Sequence, residues 1–330
     1  MVSGGVLVVC ALSLLLLSCG GGGGGGSDDY EAPIVESGST TSESGSAGVA
    51  GSGGGSTSPS VPEGFVSVPG ATFNGTTAIT GSEVFISGRT ITIPNLLVCD
   101  HEVTQGEYEQ YCSYGGEQPS STYGDGNNYP AYYVNWYEAI TYCNKRSRAE
   151  NLTPCYTVSG VDFSVNFTVP SSDNATWNAA TCDFSANGYR LPTEAEWEYL
   201  ARGGNLTNNE QTTYSGSDDD IESVAWYTVN ACDVTESSPD YGTHQIKTKN
   251  PNGKSLYDMS GNVWEWCWDW WSDTISTSIP PSGASSGSYR VIRGGSWGSG
   301  DFCCSVAYQG YGDPYYRGHF IGFRVVRTAN

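Results

Sequence analysis

Positive charge is what this chain has least of. Fourteen Lys and Arg stand against 35 Asp and Glu, for a net charge of −21. A chain this acidic repels phosphate backbones and anionic headgroups, which argues against a nucleic-acid partner and against electrostatic docking on a membrane. Only three His occur, His101, His244 and His319, scattered along 330 residues, so a site built on several imidazoles has little to draw on. No long apolar run is present either. The one at the start, residues 1–18, is too short to span a bilayer and has the length of a secretory h-region. None of the eleven Cys forms a CxxC pair, and Cys303 and Cys304 are adjacent.

What is there divides the chain. Leu16-Leu17-Ser18-Cys19 resembles a bacterial lipobox, in which the Cys takes a diacylglycerol and becomes the mature N-terminus, although no Lys or Arg precedes the apolar run. The expectation is a signal peptide over 1–18 and a lipid on Cys19, anchoring the protein to the outer membrane at the cell surface; an uncleaved hydrophobic anchor is the alternative. Residues 19–60 are rich in Gly, Ser and Thr and cannot bury enough apolar surface to order themselves, so they read as a tether. Residues 61–330 suit one large domain, expected to be monomeric. Export permits disulfides. Cys155 and Cys182 lie in segments that read as paired strands of an inserted hairpin and are the pair we expect to bond; the other Cys read equally well as small buried hydrophobes.

Within the domain, FVSVPGATF (65–73) and the short apolar runs after it look like β-hairpins. Thr104 precedes Glu107 by three residues, a capping-box spacing that predicts a helix through about Cys112. A second helix is expected from about Tyr137 to Arg148. A third opens where Thr193 and Glu196 repeat the spacing, and Gly203-Gly204 stop it. Ten Trp and 22 Tyr suggest a core of aromatics whose polar atoms satisfy irregular backbone.

Four ordered stretches then carry a resemblance: EVTQGEYEQYC (102–112), GYRLPTEAEWEYLARGG (188–204), LYDMSGNVWEWCWDWW (256–271) and RVIRGGSW…GFRVV (290–326). Together they resemble the formylglycine-generating-enzyme-like (sulfatase-modifying factor) branch of the C-type lectin fold. The resemblance implies an α+β domain with small twisted sheets and much irregular loop. It also implies a chemistry to test, since the enzymes bind copper(I) through two cysteines after the Gly-Gly-Ser-aromatic turn. Here the second falls on Cys304, but the first falls on Ser299, with Cys303 as a neighbouring stand-in. A copper oxidase acting on cysteine in a protein substrate is therefore the alternative, not the main reading. The related iron enzymes need three clustered His. The family further implies a structural calcium held by Asp258, the carbonyls of Gly261 and Val263, and Glu265; otherwise the two acids cap turns without a metal. No other cofactor is expected.

The stretch between RVIRGGSW and IGFRVVR follows neither the period of a strand nor that of a helix, so it reads as exposed and irregular. A narrower resemblance covers it: C-type lectin variable lipoproteins, of the treponemal type, whose tail is rewritten by a diversity-generating retroelement. Such tails vary at AAC codons mutated at both adenines, which never yield Lys, Glu, Gln, Met or Trp. The candidate positions within about 298–320 are Gly298, Ser299, Gly300, Asp301, Phe302, Cys303, Tyr308, Gly310, Tyr311, Gly312, Asp313, Tyr315, Tyr316, Gly318, His319 and Phe320, and all sixteen fall in the permitted set. Cys304-Ser305-Val306-Ala307, Gln309, Pro314 and Arg317 read as fixed scaffold. Tyr and Phe give large contact area with few rotatable bonds, and Gly, Ser and Asp give adaptable spacing. The expected function is non-covalent binding of a protein or glycan. A Gly/Tyr-rich loop packed on its own domain, in a structural or chaperone-like envelope protein, is the remaining alternative.

Overall fold

The computed structural model describes residues 61–273, 277 and 282–329; the expected leader, Cys19 and the tether lie outside them. The chain runs β1 (Phe65–Val68), β2 (Ala71–Asn74), β3 (Thr90–Ile93), β4 (Leu96–Cys99), α1 (Gln105–Tyr111) and α2 (Trp136–Ala149). Then come β5 (Tyr156–Thr157), the short α3 (Ala175–Asn178), β6 (Thr181–Cys182), α4 (Glu194–Ala201) and β7 (Trp264–Trp270). β8 (Arg290–Arg293), β9 (Gln309–Gly312), β10 (Ile321–Gly322) and β11 (Val326–Thr328) complete it.

Both expected capping boxes form, at Thr104/Glu107 and at Thr193/Glu196. A third, Asn135/Glu138, starts α2 one residue before the expected position. Gly203 and Gly204 end α4 with φ of 66° and 67°, a left-handed turn that disfavours side chains.

Two expectations about strands are corrected. β1 and β2 do not pair with each other: β1 joins β4 and β11 in one sheet, while β2 pairs only with β3. Pro69-Gly70 turns the chain between them, and a Cβ on Gly70 would lie 2.3 Å from the Ile93 carbonyl oxygen. Cys155 and Cys182 both remain free thiols, although their segments do form the hairpin β5–β6. Cys182 stands opposite Tyr156, so alternation puts the Cys155 side chain on the other face of the ribbon. The Cys155 thiol instead donates to the Gly188 carbonyl at 3.4 Å.

The four-stranded sheet, in the order β10-β7-β8-β9, separates two apolar clusters. Trp264, Trp266 and Ile292 face the cluster built on α2, and Cys267 and Val291 face the one built on α4. The indoles serve the backbone as expected: Trp266 Nε1 donates to the Val134 carbonyl and Trp136 Nε1 to that of Cys267, both at 2.9 Å. Buried ion pairs fasten the elements. Arg324 grips Glu265 with contacts of 2.6–2.8 Å, Arg190 grips Glu196 at 2.6 and 2.8 Å, and Glu198 takes both Arg202 and Arg293. Removing one partner strands a charge in the interior. Arg324→Ala should therefore cost about 3–5 kcal/mol in urea denaturation, whereas Arg327→Ala, at the partly exposed end of β11, should cost far less.

Candidate functional site

The tail, 298–320, starts at a turn that only glycine fits. Gly294 and Gly295 have φ of 95° and 75°, and a Cβ on Gly295 would lie 2.6 Å from the Cys304 sulfur. From there the backbone is held by groups that mostly lie outside the candidate positions. Thr228 N–H donates to the Ser299 carbonyl (2.9 Å), Ser260 Oγ to that of Cys304 (2.8 Å), and the Arg293 guanidinium to those of Ala307 and Tyr308. Further along, the N–H groups of Trp136, Tyr133 and Trp264 donate to the carbonyls of Pro314, Gly318 and Phe320 at 3.0, 3.0 and 2.8 Å. Trp297 is buried, and its indole N–H reaches the His319 carbonyl at 2.9 Å, tying the two ends of the tail together.

The residues expected to be scaffold supply the side-chain anchors. Gln309 Nε2 donates to Glu194 Oε1 at 2.7 Å, and Arg317 clamps Glu138 with two bonds of 2.9 and 2.7 Å. Cys304 and Val306 are buried.

The sixteen candidates do not form a uniformly exposed surface. Asp301 and Phe302 are exposed on a short 3₁₀ turn, Phe302 at 69% with one edge against Tyr308. Nine more are half-buried. Ser299, Cys303, Gly310, Gly312 and Gly318 are buried, which corrects the expectation of exposure for those five. The tail also contains a regular strand, β9, paired in register with β8. Its period of two was invisible in the sequence because the inward positions are Gly310 and Gly312, which carry no side chain to mark a face.

Packing sorts these positions further. Around Gly300 a Cβ would meet nothing within 4 Å. On Gly298 it would lie 2.4 Å from the Phe320 ring, and on Gly318 2.4 Å from the Tyr316 hydroxyl, so those candidates constrain one another in pairs. On Gly310 it would lie 2.9 Å from Ile292 and 3.1 Å from Trp264, both core residues.

Aromatic side chains from outside the tail pack against it, and sequence reasoning did not assign Tyr123, Trp271 or Tyr289 to the site because nothing local in the chain links them to it. Tyr123 stacks on His319 with centroids 4.1 Å apart and planes within 7°, and Trp297 lies 4.7 Å from Phe320. Elsewhere Tyr311 packs between Trp271 (4.3 Å) and Tyr289 (4.9 Å). Burial holds the His319 ring below its ordinary pKa. Asp313 is shifted the other way, upward, mainly by burial.

Cys304 is fully buried, and burial, with Asp301 adding to it, pushes its thiol up to about 12, the reverse of an activated thiolate. Ser299 is a hydroxyl bonded to Ser296 Oγ at 2.9 Å. His244 lies under the Trp226 ring with centroids 3.5 Å apart, and burial lowers it to about 4.

Cys99, His101 and Glu107 bring three potential donors within 4.8 Å. The Cys99 sulfur, however, is nearly equidistant from the two ring nitrogens of His101, at 3.7 and 3.8 Å, so it is aligned with neither nitrogen's lone pair. The ring nitrogens meet Asp100 (2.5 Å) and Glu107 (3.3 Å). Burial opposes the charge on His101, but Cys99, Asp100 and Glu107 outweigh it and raise the group to about 12. His101 is thus an imidazolium in an ion-pair chain.

At the expected calcium loop, Asp258 accepts from the Lys247 N–H (2.8 Å), and Glu265 from Arg324 and from Trp197 Nε1 (2.7 Å). Glu102, unnoticed in the sequence, joins them through the Val263 N–H (3.1 Å) and Asn262 Nδ2 (2.6 Å). Three buried carboxylates thus lie near one guanidinium, and Glu265 is the one bonded to it. Burial first, then mutual repulsion, raises Asp258 to about 6 and Glu102 well above the carboxylate range. The turn is left-handed at Asp258, Gly261 and Asn262. The excess negative charge and the oxygen donors are of the kind a hard dication takes, but Glu265 already gives both oxygens to Arg324 and Trp197, and the three carboxylates do not converge on one point.

Comparison with known proteins places this geometry. Residues 55–329 match the sulfatase-modifying factor enzyme 1-like domain. The solved structure of Treponema denticola variable protein 1 is similar at 34% identity and a TM-score of 0.66, over 80% of this chain and 94% of that one. Chaperone protein LppX of Paenibacillus barcinonensis is 37% identical over 251 residues, 73% of this chain and 83% of that protein. The formylglycine-generating enzyme of Streptomyces coelicolor is 36% identical over 172 residues, 48% of this chain and 52% of the enzyme.

Substitution should separate the tail positions. Gly300→Tyr should leave stability within about 0.5 kcal/mol, whereas Gly310→Tyr should cost about 1–3 kcal/mol or more, both read by chemical denaturation. Alkylation of the folded protein at pH 8 should leave Cys304 unlabelled until denaturant is added, as mass spectrometry of the tail peptide would report.

Proposed function

Because the chain belongs to the sulfatase-modifying factor enzyme 1-like family, yet holds its one matching thiol buried and has Ser299 at the other cysteine's position, we propose that it binds and does not catalyse. On this reading it is a variable ligand-binding lipoprotein, anchored through Cys19 in the outer membrane and held off the cell surface by the 19–60 tether. Its C-terminal region is diversified by a retroelement, and it takes a protein or glycan partner as a monomer. One observation carries the proposal: the tail backbone is fastened chiefly by Arg293, Arg317, Gln309, Trp297 and core N–H groups, all outside the sixteen candidates. Exchanging Phe302, Tyr311, Tyr315 or His319 removes none of those anchors.

The likeness to Treponema denticola variable protein 1 supports the same reading. A calcium ion bound by Asp258, the Gly261 and Val263 carbonyls and Glu265 would neutralise the excess charge and pin the 258–263 turn. Its part would be structural.

The test is a set of tails on one scaffold. Variants with Asp301, Phe302, Tyr308, Tyr311, Tyr315 and His319 exchanged together should select different ligands from a protein and glycan array. Each should melt within about 4 °C of the parent, the shift that ~1 kcal/mol produces in a domain of this size. Identical profiles from all tails would overturn the proposal. Turnover of a cysteine peptide with copper, lost in Cys304→Ser, would favour the oxidase instead. Millimolar calcium should raise Tm and EDTA should lower it; equal Tm in both would assign Asp258 and Glu265 to turn capping.

A further inference from the structure

One pocket in this surface has a chemical character of its own. Trp271, Tyr308 and Tyr311 line a cavity of about 250 Å³ together with the carboxylates of Glu83 and Asp273, and no Lys or Arg lines it. Trp271 and Tyr311 meet at 4.3 Å with their planes inclined by 35°, and Tyr289 backs Tyr311 at 4.9 Å. The rings therefore form a wall and not a flat stack. Gln309, the polar residue between them, is committed to Glu194. Among the cations on neighbouring elements, Arg89 turns to the Val84 carbonyl and faces Glu194 and Asp269, and Arg293 on β8 is committed to Glu198 and to the carbonyls of Ala307 and Tyr308.

We infer that this pocket receives the cationic side chain, lysine or arginine, of a protein partner. The faces of Trp and Tyr carry negative potential, and a cation over them is attracted without giving up much of its hydration. The stem of a lysine or arginine is apolar and covers ring surface while its charged head stays near the rim. Glu83 stands exposed at that rim and makes no ion pair among the described residues, so it is available to the incoming charge. The chain's net charge of −21 favours approach by a basic partner over an acidic one.

The pocket also has a division of labour. Glu83, Trp271 and Asp273 lie outside the candidate positions, whereas Tyr308 and Tyr311 are among them. A fixed half would keep the preference for a cation while the variable half changes how tightly, and beside what, that cation sits. The inference rests on the variable-binding reading above and narrows it to a partner chemistry.

The test uses the full-length protein labelled with 5-fluorotryptophan, its Trp271 signal assigned by loss in Trp271→Phe. Nα-acetyl-lysine methylamide should shift that signal saturably, and the neutral isostere Nα-acetyl-norleucine methylamide should not. Glu83→Gln changes an exposed side chain and leaves the fold intact; it should weaken lysine amide roughly threefold or more and flatten the salt dependence. Tyr311→Ser should weaken it too. Equal shifts with both amides would make this a plain apolar pocket and overturn the inference, as would no shift with either. If exchanged tails still change ligand profile while the two amides behave alike, variable binding stands and the cation pocket falls.

Discussion

Two guanidinium groups govern how much the tail can change. Arg293, at the end of β8 and fully buried, pairs with Glu198 and also donates to the carbonyls of Ala307 and Tyr308. Arg317 clamps Glu138, itself the N3 residue of the α2 capping box, so the tail is fastened to the same carboxylate that starts a helix. A charge-assisted bond between buried partners is costly to break. The backbone between 298 and 320 is thus set by core electrostatics, and its outward side chains are left to be chosen for something else.

The family frame and the burial of its one matching thiol follow from the same packing. The Gly294-Gly295 turn presses against Cys304, and that closeness buries the sulfur away from water and from any cation that would lower its pKa. A family member that uses this cysteine needs it accessible and paired with a second thiol. Here the partner position is Ser299, which caps the turn through Ser296.

Much of this was legible in the chain. Thr104/Glu107 and Thr193/Glu196 announced their helices because a capping box is a local device whose partners lie three residues apart. Among the residues read as scaffold, Gln309 and Arg317 anchor the tail and Cys304 and Val306 are buried, but Ser299, Cys303, Gly310, Gly312 and Gly318 among the candidates are buried as well. Pairings between distant residues were not legible. FVSVPGATF holds two strands, but which strand each joins depends on residues 90–99 and 326–328. The β9 strand was hidden by its glycines. Cys155 and Cys182 stood in a real hairpin, but register decides which face a side chain takes, and composition carries no register. Tyr123 reaches the site from the α1–α2 connection and Trp271 and Tyr289 from the two ends of the β7–β8 connection, and only the fold brings them to the tail.

Hydrogen exchange on the amides that hold the tail bears most directly on whether its backbone is independent of its outward side chains. The N–H groups of Tyr133, Trp136, Thr228 and Trp264 each donate to a tail carbonyl. With Asp301, Phe302, Tyr308, Tyr311, Tyr315 and His319 all changed to Ser, their protection should match that of the parent. Acceleration of all four together would mean that the aromatic side chains hold the tail in place, and that the surface cannot be rewritten without unfastening it.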